Sequence, residues 1–452
     1  MPIFEGIMID SPPMNKRILD LAVPNIISNI SIPLLGIVDM TLMGHLESDA
    51  YIGAIALGSL IFNFIYWSLG FLRMGTSGFT AQAWGRRDLP ETILVFSRAA
   101  FIAITMGLLL LILQGPIESL SFLVLKGETK VEELAMAYFR IRVWAAPAAL
   151  GQFALLGFFL GMQNARLPMV VLVSTNLINI GCSYLFVMQL DMGSSGVALG
   201  TVIAQYSGLI IALYFFRRYF RKLFKYWSLK ATLHWEKLKH FLLINRDIFI
   251  RTMCLVVVFS IFTARSASSD LHNEGEETIL AVNSLLMQFF MFFSFLIDGF
   301  AHASEALTGK FIGAGDRRSL TRTITLLFIW GGGISLFFTL VYLLGGNTIL
   351  RGLTNNMEVI DNARPYFFWV VMVPIVSFTA FLWDGIFIGA TAGPEMRNAM
   401  LVSTLVIFFP AYILAGRFLG NHGLWLAFIL FMIARGVTMQ VMAKRAVYSK
   451  VP

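Results

Sequence analysis

Charge and cysteine are both scarce in this 452-residue chain. Only 13% of its residues are Asp, Glu, Lys or Arg, against 57% hydrophobic, and the mean hydropathy is +0.76. A soluble domain of this length needs more charge on its surface than that. The composition excludes a soluble globular protein and points to an integral membrane protein. There are two cysteines, Cys182 and Cys254, both inside apolar segments and without CxxC or CxxxC spacing, so neither a disulfide framework nor a metal site is indicated. No nucleotide-binding Gly-rich loop of the Walker type occurs, which argues against an ATP-driven pump. The amino terminus lacks a basic region, short apolar run and small-residue cleavage site in that order, so no signal peptide is expected to be removed. The formal charge is +8, but the basic residues collect in particular loops instead of forming a nucleic-acid patch, and no nucleic acid partner is expected.

What is present is a series of long apolar runs without ten-residue alternation. Lipid admits only helices or closed barrels, so these runs predict helices. Twelve are expected, at about 17–43, 51–74, 94–114, 134–161, 168–190, 196–216, 243–267, 278–304, 320–345, 362–390, 398–417 and 423–442. The even-numbered connections carry Arg86, Arg87, Arg166, Lys310, Arg317, Arg318, Arg322 and Arg397, and the central one is strongly basic. By the positive-inside rule those loops and both termini are cytoplasmic. The odd-numbered connections offer Glu47, Asp49, Asp191 and the acidic run around residues 270–277. The basic stretch from Arg217 to His240 reads first as an interfacial linker, with anionic-lipid binding as the other reading.

The sequence also repeats itself. Gly193 and Gly196 recur 227 residues later as Gly420 and Gly423, and LVST at Leu172 recurs 229 later at Leu401. GFFLG at Gly157 matches GIFIG at Gly385, and TAQAWG at Thr80 matches TGKFIG at Thr308, both at an offset of 228. A nearly constant offset implies two six-helix bundles, and because six is even the repeat is parallel. The expected organisation is an amino lobe at 1–216, a basic linker at 217–242, a carboxyl lobe at 243–442 and a tail at 443–452.

The first predicted helix carries a carboxylate, Asp39, where hydrocarbon is expected. An acid at the centre of a spanning helix costs roughly 2.5–3.5 kcal/mol, so such residues generally face a cavity and move ions or protons. At helical spacing Asn25, Asn29, Ile32, Gly36 and Asp39 share one side, and Pro24 and Pro33 interrupt the helix, which predicts a bend. A merely solvated Asp39 near the interface is the alternative. On the fifth helix Asn176, Asn179 and Ser183 share a face, Thr201 and Gln205 follow on the sixth, and Tyr138 stands near the start of the fourth. Around one carboxylate these neutral oxygens suit a held proton or a hard monovalent cation. The alternative is interhelical hydrogen bonding, which is the first reading of Asn176 and Gln205 taken singly. In the second half Asp384 shares a stripe with Ser377 and Thr391, and Asp298, His302 and Glu305 share another. The latter three fit a proton relay, a structural network or a solvated helix end equally well. Arg251, Arg265 and Arg435 are expected to snorkel from helix ends. The 22 Met and 41 Phe read mainly as packing, with some suited to an adaptable pocket for apolar organic ligands.

Seven segments in order carry a resemblance: PNIISNISIPLLGIVDMTLMGHL, FLRMGTSGFTAQAWG, LGFFLGMQNARLPM, GVALGTVIAQY, LINRDIFIR, DGIFIGATAGPEMRNAM and LGNHGLWLA. Together, over nearly the whole chain, they resemble the multidrug and toxic compound extrusion (MATE) family in its DinF-like branch. The resemblance implies an all-α integral membrane fold of the MATE/MOP type, with twelve transmembrane helices in two six-helix bundles around a central cavity. It implies a non-enzymatic antiporter of the cell inner membrane, without a cofactor, that exports organic and often cationic compounds in exchange for H+ or Na+. It places the coupling acid at Asp39, the bend proline at Pro24, the amino-lobe polar site at Tyr138, Asn179 and Thr201, and the tenth-helix acid at Asp384. In a Na+-coupled version Asp39, Asn179 and Thr201 would hold the ion. Many relatives have a second acid on the fifth helix where this chain has Ser183, so the choice between H+ and Na+ stays open. A single chain carrying both lobes, in contact with membrane lipids, would work as a monomer.

The mechanism expected is alternating access, with protonation of Asp39 from the outside repacking its helix and expelling the drug. A flippase or exporter of a lipid-linked or metabolite substrate is the rival within transport, since fold does not settle substrate. A membrane-embedded transferase is a remote rival, for which Asp298 with His302 is the only candidate pair.

Overall fold

A computed structural model describes residues 13–44, 50–125, 128–267 and 276–452, together with the backbone but not the side chains of residues 39, 40, 43, 44 and 276–278. The expected acidic loop around 270–277 and the carboxylate of Asp39 thus lie outside the described residues. Among those described, the ordered elements are all helical. That is the only way an open chain satisfies its own N–H and C=O groups in hydrocarbon.

The spans are α1 Met14–Gly44, α2 Ala50–Gly85, α3 Leu89–Ile112, α4 Thr129–Gly161, α5 Arg166–Gln189, α6 Gly193–Tyr226, α7 Trp235–Ser266, α8 Glu276–Ala314, α9 Arg317–Leu353 and α10 Met357–Gly389. A final apolar stretch, Gly393–Lys450, is long enough for two crossings. It is divided at Gly420, whose φ of +53° breaks the helix, into α11 (393–419) and α12 (421–446). The expected twelve helices are therefore present. Most run several residues past the predicted ends, because a helix that leaves hydrocarbon keeps its backbone bonds in water. The linker is shorter for the same reason: α6 ends in a 3-10 turn at Arg221–Tyr226, one helical turn follows at Leu229–Thr232, and α7 starts at Trp235, not 243. Pro24 and Pro33 do not end α1, which remains helical from Met14 to Gly44.

The sequence repeat reappears as geometry. Asp88 caps α3 by accepting from Glu91 N, and Asp316 caps α9 by accepting from Ser319 N. Left-handed residues recur at equivalent turns: Arg87 and Gly315, Gln163 and Thr391, Gly193 and Gly420. Contacts recur as well. A Cβ on Gly157 would strike the carbonyl of Arg73, and one on Gly385 the carbonyl of Ala301.

Where the halves meet, these contacts become reciprocal. A Cβ on Gly85 would strike the carbonyl of Lys310, and one on Gly313 the carbonyl of Gln82. α2 of the first half and α8 of the second thus cross backbone to backbone, with glycine required on both sides. Around the crossing Gln82 Nε2 donates to Gly389 O (2.9 Å) and Thr391 Oγ1 (3.1 Å), and Gln163 Nε2 donates to Ala306 O (2.7 Å). α8 also packs on α1, and α7 on α2. This junction sits at the end of the molecule that carries Arg86, Lys310, Arg317 and the basic linker. At the other end α1 leaves Ile32 53% and Ile37 60% exposed, uncovered by the second half.

Candidate functional site

Two polar centres lie inside the helices, one in each half. In the first half, α5 and α6 bring Asn179, Ser183 and Thr201 together, all nearly inaccessible to solvent. Ser183 Oγ donates to Asn179 Oδ1 (3.0 Å), Asn179 Nδ2 donates to Thr201 Oγ1 (3.3 Å), and Thr201 Oγ1 donates to Val197 O (2.9 Å). The chain of bonds ends on a backbone carbonyl, so the network is neutral and satisfied without an ion. Its oxygens are the hard, uncharged type that a proton carrier or a monovalent cation uses.

The Tyr138 hydroxyl is bonded outside this network. It lies on Ser59 Oγ (3.5 Å) and receives a close hydrogen bond from Arg142, one helical turn further along α4. The Arg142 guanidinium also donates to Ser59 Oγ (3.2 Å) and lies over the Phe62 ring, 4.9 Å from its centroid. Phe62 packs against both Tyr138 and Phe139, and these rings belong to the same buried apolar cluster as Val197 and Ala198 of α6.

The polar stripe of α1 is largely occupied. Asn25 Nδ2 turns back to Leu21 O (2.7 Å), while Asn29 Nδ2 crosses to Phe295 O on α8 (3.1 Å). On the other flank Asn176 Nδ2 of α5 donates to Ser31 Oγ (2.9 Å) and Ser31 O (3.2 Å). α1 is therefore hydrogen-bonded to both halves. Gln205 is bonded within the first half, its Oε1 accepting from Gln152 Nε2 (2.8 Å). Pro24 is buried, and its carbonyl accepts from Ser28 Oγ (2.9 Å).

The second half is organised differently. Asp384 is only 4% exposed, and its Oδ2 accepts close hydrogen bonds from both Arg251 of α7 and Arg435 of α12. These arginines are 8% and 2% exposed, so they do not snorkel: they are the counter-ions of a buried acid, and Asp384 is no free carboxylate. Burying any of the three charges alone would be prohibitive, which is why they meet. Asp298 lies half-buried on α8 within electrostatic reach of Arg251, Arg73, His302 and Asp384. His302 Nδ1 stands 3.7 Å from Glu305 Oε2. Glu305 is 1% exposed, with Oε1 buried and unpartnered, which removes the reading of these residues as a solvated helix end. α8 runs on to Ala314, and a Cβ on Gly389 of α10 would strike the carbonyl of Glu305.

Sequence reading missed Arg251, Arg435 and Arg142 as site residues. A signal existed for the first two. Two acids, Asp298 and Asp384, and two arginines stand well inside spans of the same half, and intramembrane charges of opposite sign usually pair. For Arg142 the signal was its i+4 spacing from Tyr138. Among the described residues no group of three His, Cys, Asp or Glu is placed to hold a metal ion.

Comparison with known proteins agrees with this architecture. The MatE family model matches the chain twice, at residues 24–185 and 249–416. The chain is 37% identical over 431 residues to DNA damage-inducible protein F of Escherichia coli (strain K12), covering 95% of this chain and 92% of that protein. It is 22% identical over 452 residues to Multidrug and toxin extrusion protein 1 of Homo sapiens, covering 93% and 73%. Among solved structures it superposes with a TM-score of 0.86 on a MOP superfamily transporter from Pyrococcus furiosus, at 17% identity and 97% coverage of both chains. An outward-facing multidrug resistance MATE transporter gives 0.83 at 18% identity, again covering 97% of each. The two matches of one family model are the internal repeat in another form, and the chain belongs to the MatE family of multi-pass membrane transporters.

Proposed function

We propose that this protein is a secondary active multidrug efflux antiporter. It exports organic, often cationic, compounds in exchange for H+ or Na+ by alternating access, with Asp39 as the coupling switch. Relatives named for multidrug and toxin extrusion support the substrate class. The observation that carries the reading is the attachment of α1 to both halves, through Asn176 to Ser31 on one side and Asn29 to Phe295 O on the other. A change of charge on α1 is thereby felt on both sides of the junction that must open and close.

In this reading two lobes, 1–216 and 243–442, rock about the junction, joined by the linker at 217–242 and followed by the tail at 443–452. By the positive-inside rule both termini are cytoplasmic in this reading, and the membrane proposed for it is the cell inner membrane. With both lobes in one chain a monomer is sufficient, no cofactor takes part, and no covalent chemistry is catalysed. Protonation of Asp39 from outside removes the cost of a buried charge and allows α1 to repack toward Asn179, Ser183 and Thr201, expelling the substrate. Deprotonation on the cytoplasmic side restores the binding state. For a Na+-coupled cycle the same neutral oxygens of Asn179 and Thr201, with Asp39, supply the ligands. Coupling requires only that ion and substrate favour different conformations.

The test is efflux of a fluorescent organic cation from proteoliposomes under separate pH and Na+ gradients, with Asp39→Asn alongside. Export driven by the proton gradient and abolished by the substitution is the expected result. Full pH-driven export by Asp39→Asn would overturn the switch, Na+-driven export alone would assign the site to the metal ion, and no gradient-dependent movement of any cation would point to a lipid-linked or metabolite substrate.

A further inference from the structure

A cavity of about 170 Å³ lies at the end of the molecule where the halves close, away from both polar centres. Gln82 and Arg86 at the end of α2, Arg98 on α3, Lys237 and His240 on α7, and Thr391 in the turn between α10 and α11 line it. Its walls therefore come from both halves. Part of one wall is the bond across the junction itself, from Gln82 Nε2 to Thr391 Oγ1.

The charge inside is unbalanced. Arg86, Arg98 and Lys237 face it, against one acid, Glu91. Glu91 is already committed: its Oε1 accepts from Arg98 Nη1 at 2.8 Å. Arg98 is 3% exposed, its Nη2 reaches Ala231 O of the linker at 3.3 Å, and its Nε is buried without a partner. His240 stands edge-on to Phe79, 5.6 Å between ring centroids, which fixes the imidazole at the rim. The volume holds on the order of five waters, which is room for a tetrahedral oxyanion.

We propose that this cavity binds a phosphate group, and that its occupant holds the two halves together at this end. Arg and Lys are the residues that recognise phosphate oxygens, by charge-assisted hydrogen bonds. An occupant touching Arg86 and Arg98 of the first half, Lys237 of the second and the turn at Thr391 binds only while these elements are together. A ligand shifts a conformational equilibrium by its differential affinity, so occupancy favours the form closed at this end. The site itself is independent of the transport reading. Its effect on turnover rests on that reading.

The cavity lies beside a basic segment at the membrane surface, where phosphate chemistry comes from an anionic lipid headgroup or from a soluble anion. The experiment uses the purified full chain and hydrogen exchange of residues 229–241 and 389–392. Inorganic phosphate is titrated at constant ionic strength against chloride, and phosphatidylcholine nanodiscs are compared with and without phosphatidylglycerol. Slower exchange in both segments with phosphate is expected. The double variant Arg86→Ala/Lys237→Ala should weaken the apparent affinity ~30-fold, as the loss of two surface charges predicts. Should that variant not fold, Lys237→Gln alone is expected to weaken it about fivefold. Protection by phosphatidylglycerol as well as phosphate identifies the headgroup as occupant, and protection by phosphate alone identifies a soluble anion. No protection by either, or equal protection in wild type and variant, overturns the proposal. If protection is found but proteoliposomes show no gradient-driven export, the transport reading fails and the site stands.

Discussion

Replacing Asp384 by Asn tests whether the second half is held by its buried charges. Asn keeps nearly the volume of Asp and removes only the charge that Arg251 and Arg435 share. The two guanidiniums would remain buried, with Asp298 in electrostatic reach of both. Breaking a buried ion pair by deleting one partner costs about 3–5 kcal/mol, because it leaves uncompensated charge in a poorly polarisable interior. Proteins are commonly stable by about 5–15 kcal/mol, so this is a large fraction of the whole. Removing all three charges together, as Arg251→Met, Asp384→Leu and Arg435→Met, leaves no member of the triad buried without its counter-charge and should cost less than Asp384→Asn, although Asp298 loses its positive neighbours. The assay is heat treatment of the purified proteins in detergent, followed by the fraction that remains monodisperse. The expected order is wild type, then the triple variant, then Asp384→Asn well below both. Asp384→Asn within ~1 kcal/mol of wild type, or a triple variant as unstable as the single one, would refute the reasoning, the magnitude being that of a surface pair. Reconstitution adds a second readout: a folded triple variant that exports but no longer responds to the ion gradient would make Asp384 a coupling group as well as a structural one.

Three further outcomes follow from other parts of the structure. Gly85→Val places methyl groups against the carbonyl of Lys310 at the α2–α8 crossing, so about 1–3 kcal/mol of overpacking should loosen the closed junction and raise hydrogen exchange around residues 82–85 and 310–313; unchanged exchange would show that the crossing can spread freely. Asn179→Ala removes the bonds to both Ser183 and Thr201 and should cost about 1–2 kcal/mol in thermal unfolding, with Thr201→Ala non-additive because the two share a bond. Asp316, between α8 and α9, accepts hydrogen bonds from Ser319, which hold its carboxyl below the usual carboxylate range. A depressed folded value stabilises above the unfolded one, near ~3.9, and is lost as pH falls through the folded value. Asp316→Ala should therefore cost about 1 kcal/mol at neutral pH, measured by thermal unfolding, and progressively less in acid.

The number of helices, their order and the two-fold repeat were determined by the sequence alone. Hydrocarbon leaves an apolar run of twenty residues little choice but to be a helix, and a repeat written in Gly157 and Gly385, or Thr80 and Thr308, is visible without coordinates. Gly420 is instructive because its turn could be read by analogy with Gly193, and the left-handed backbone shared by the two is the physical reason glycine recurs there. The face of α5 that carries Asn179 and Ser183 was likewise legible, since spacing along one helix sets which side chains share a side. Partners on other helices were not. Asp384, Arg251 and Arg435 come from α10, α7 and α12, and their sequence positions say nothing of which sides of those helices turn toward one another. The same holds for Tyr138, whose partner proved to be Arg142, and for Glu305, buried when its position allowed a solvated helix end. Periodicity fixes direction within a helix, but the rotation and tilt of each helix against its neighbours are set by packing over the whole bundle. Only the tertiary structure could decide which buried charge met which.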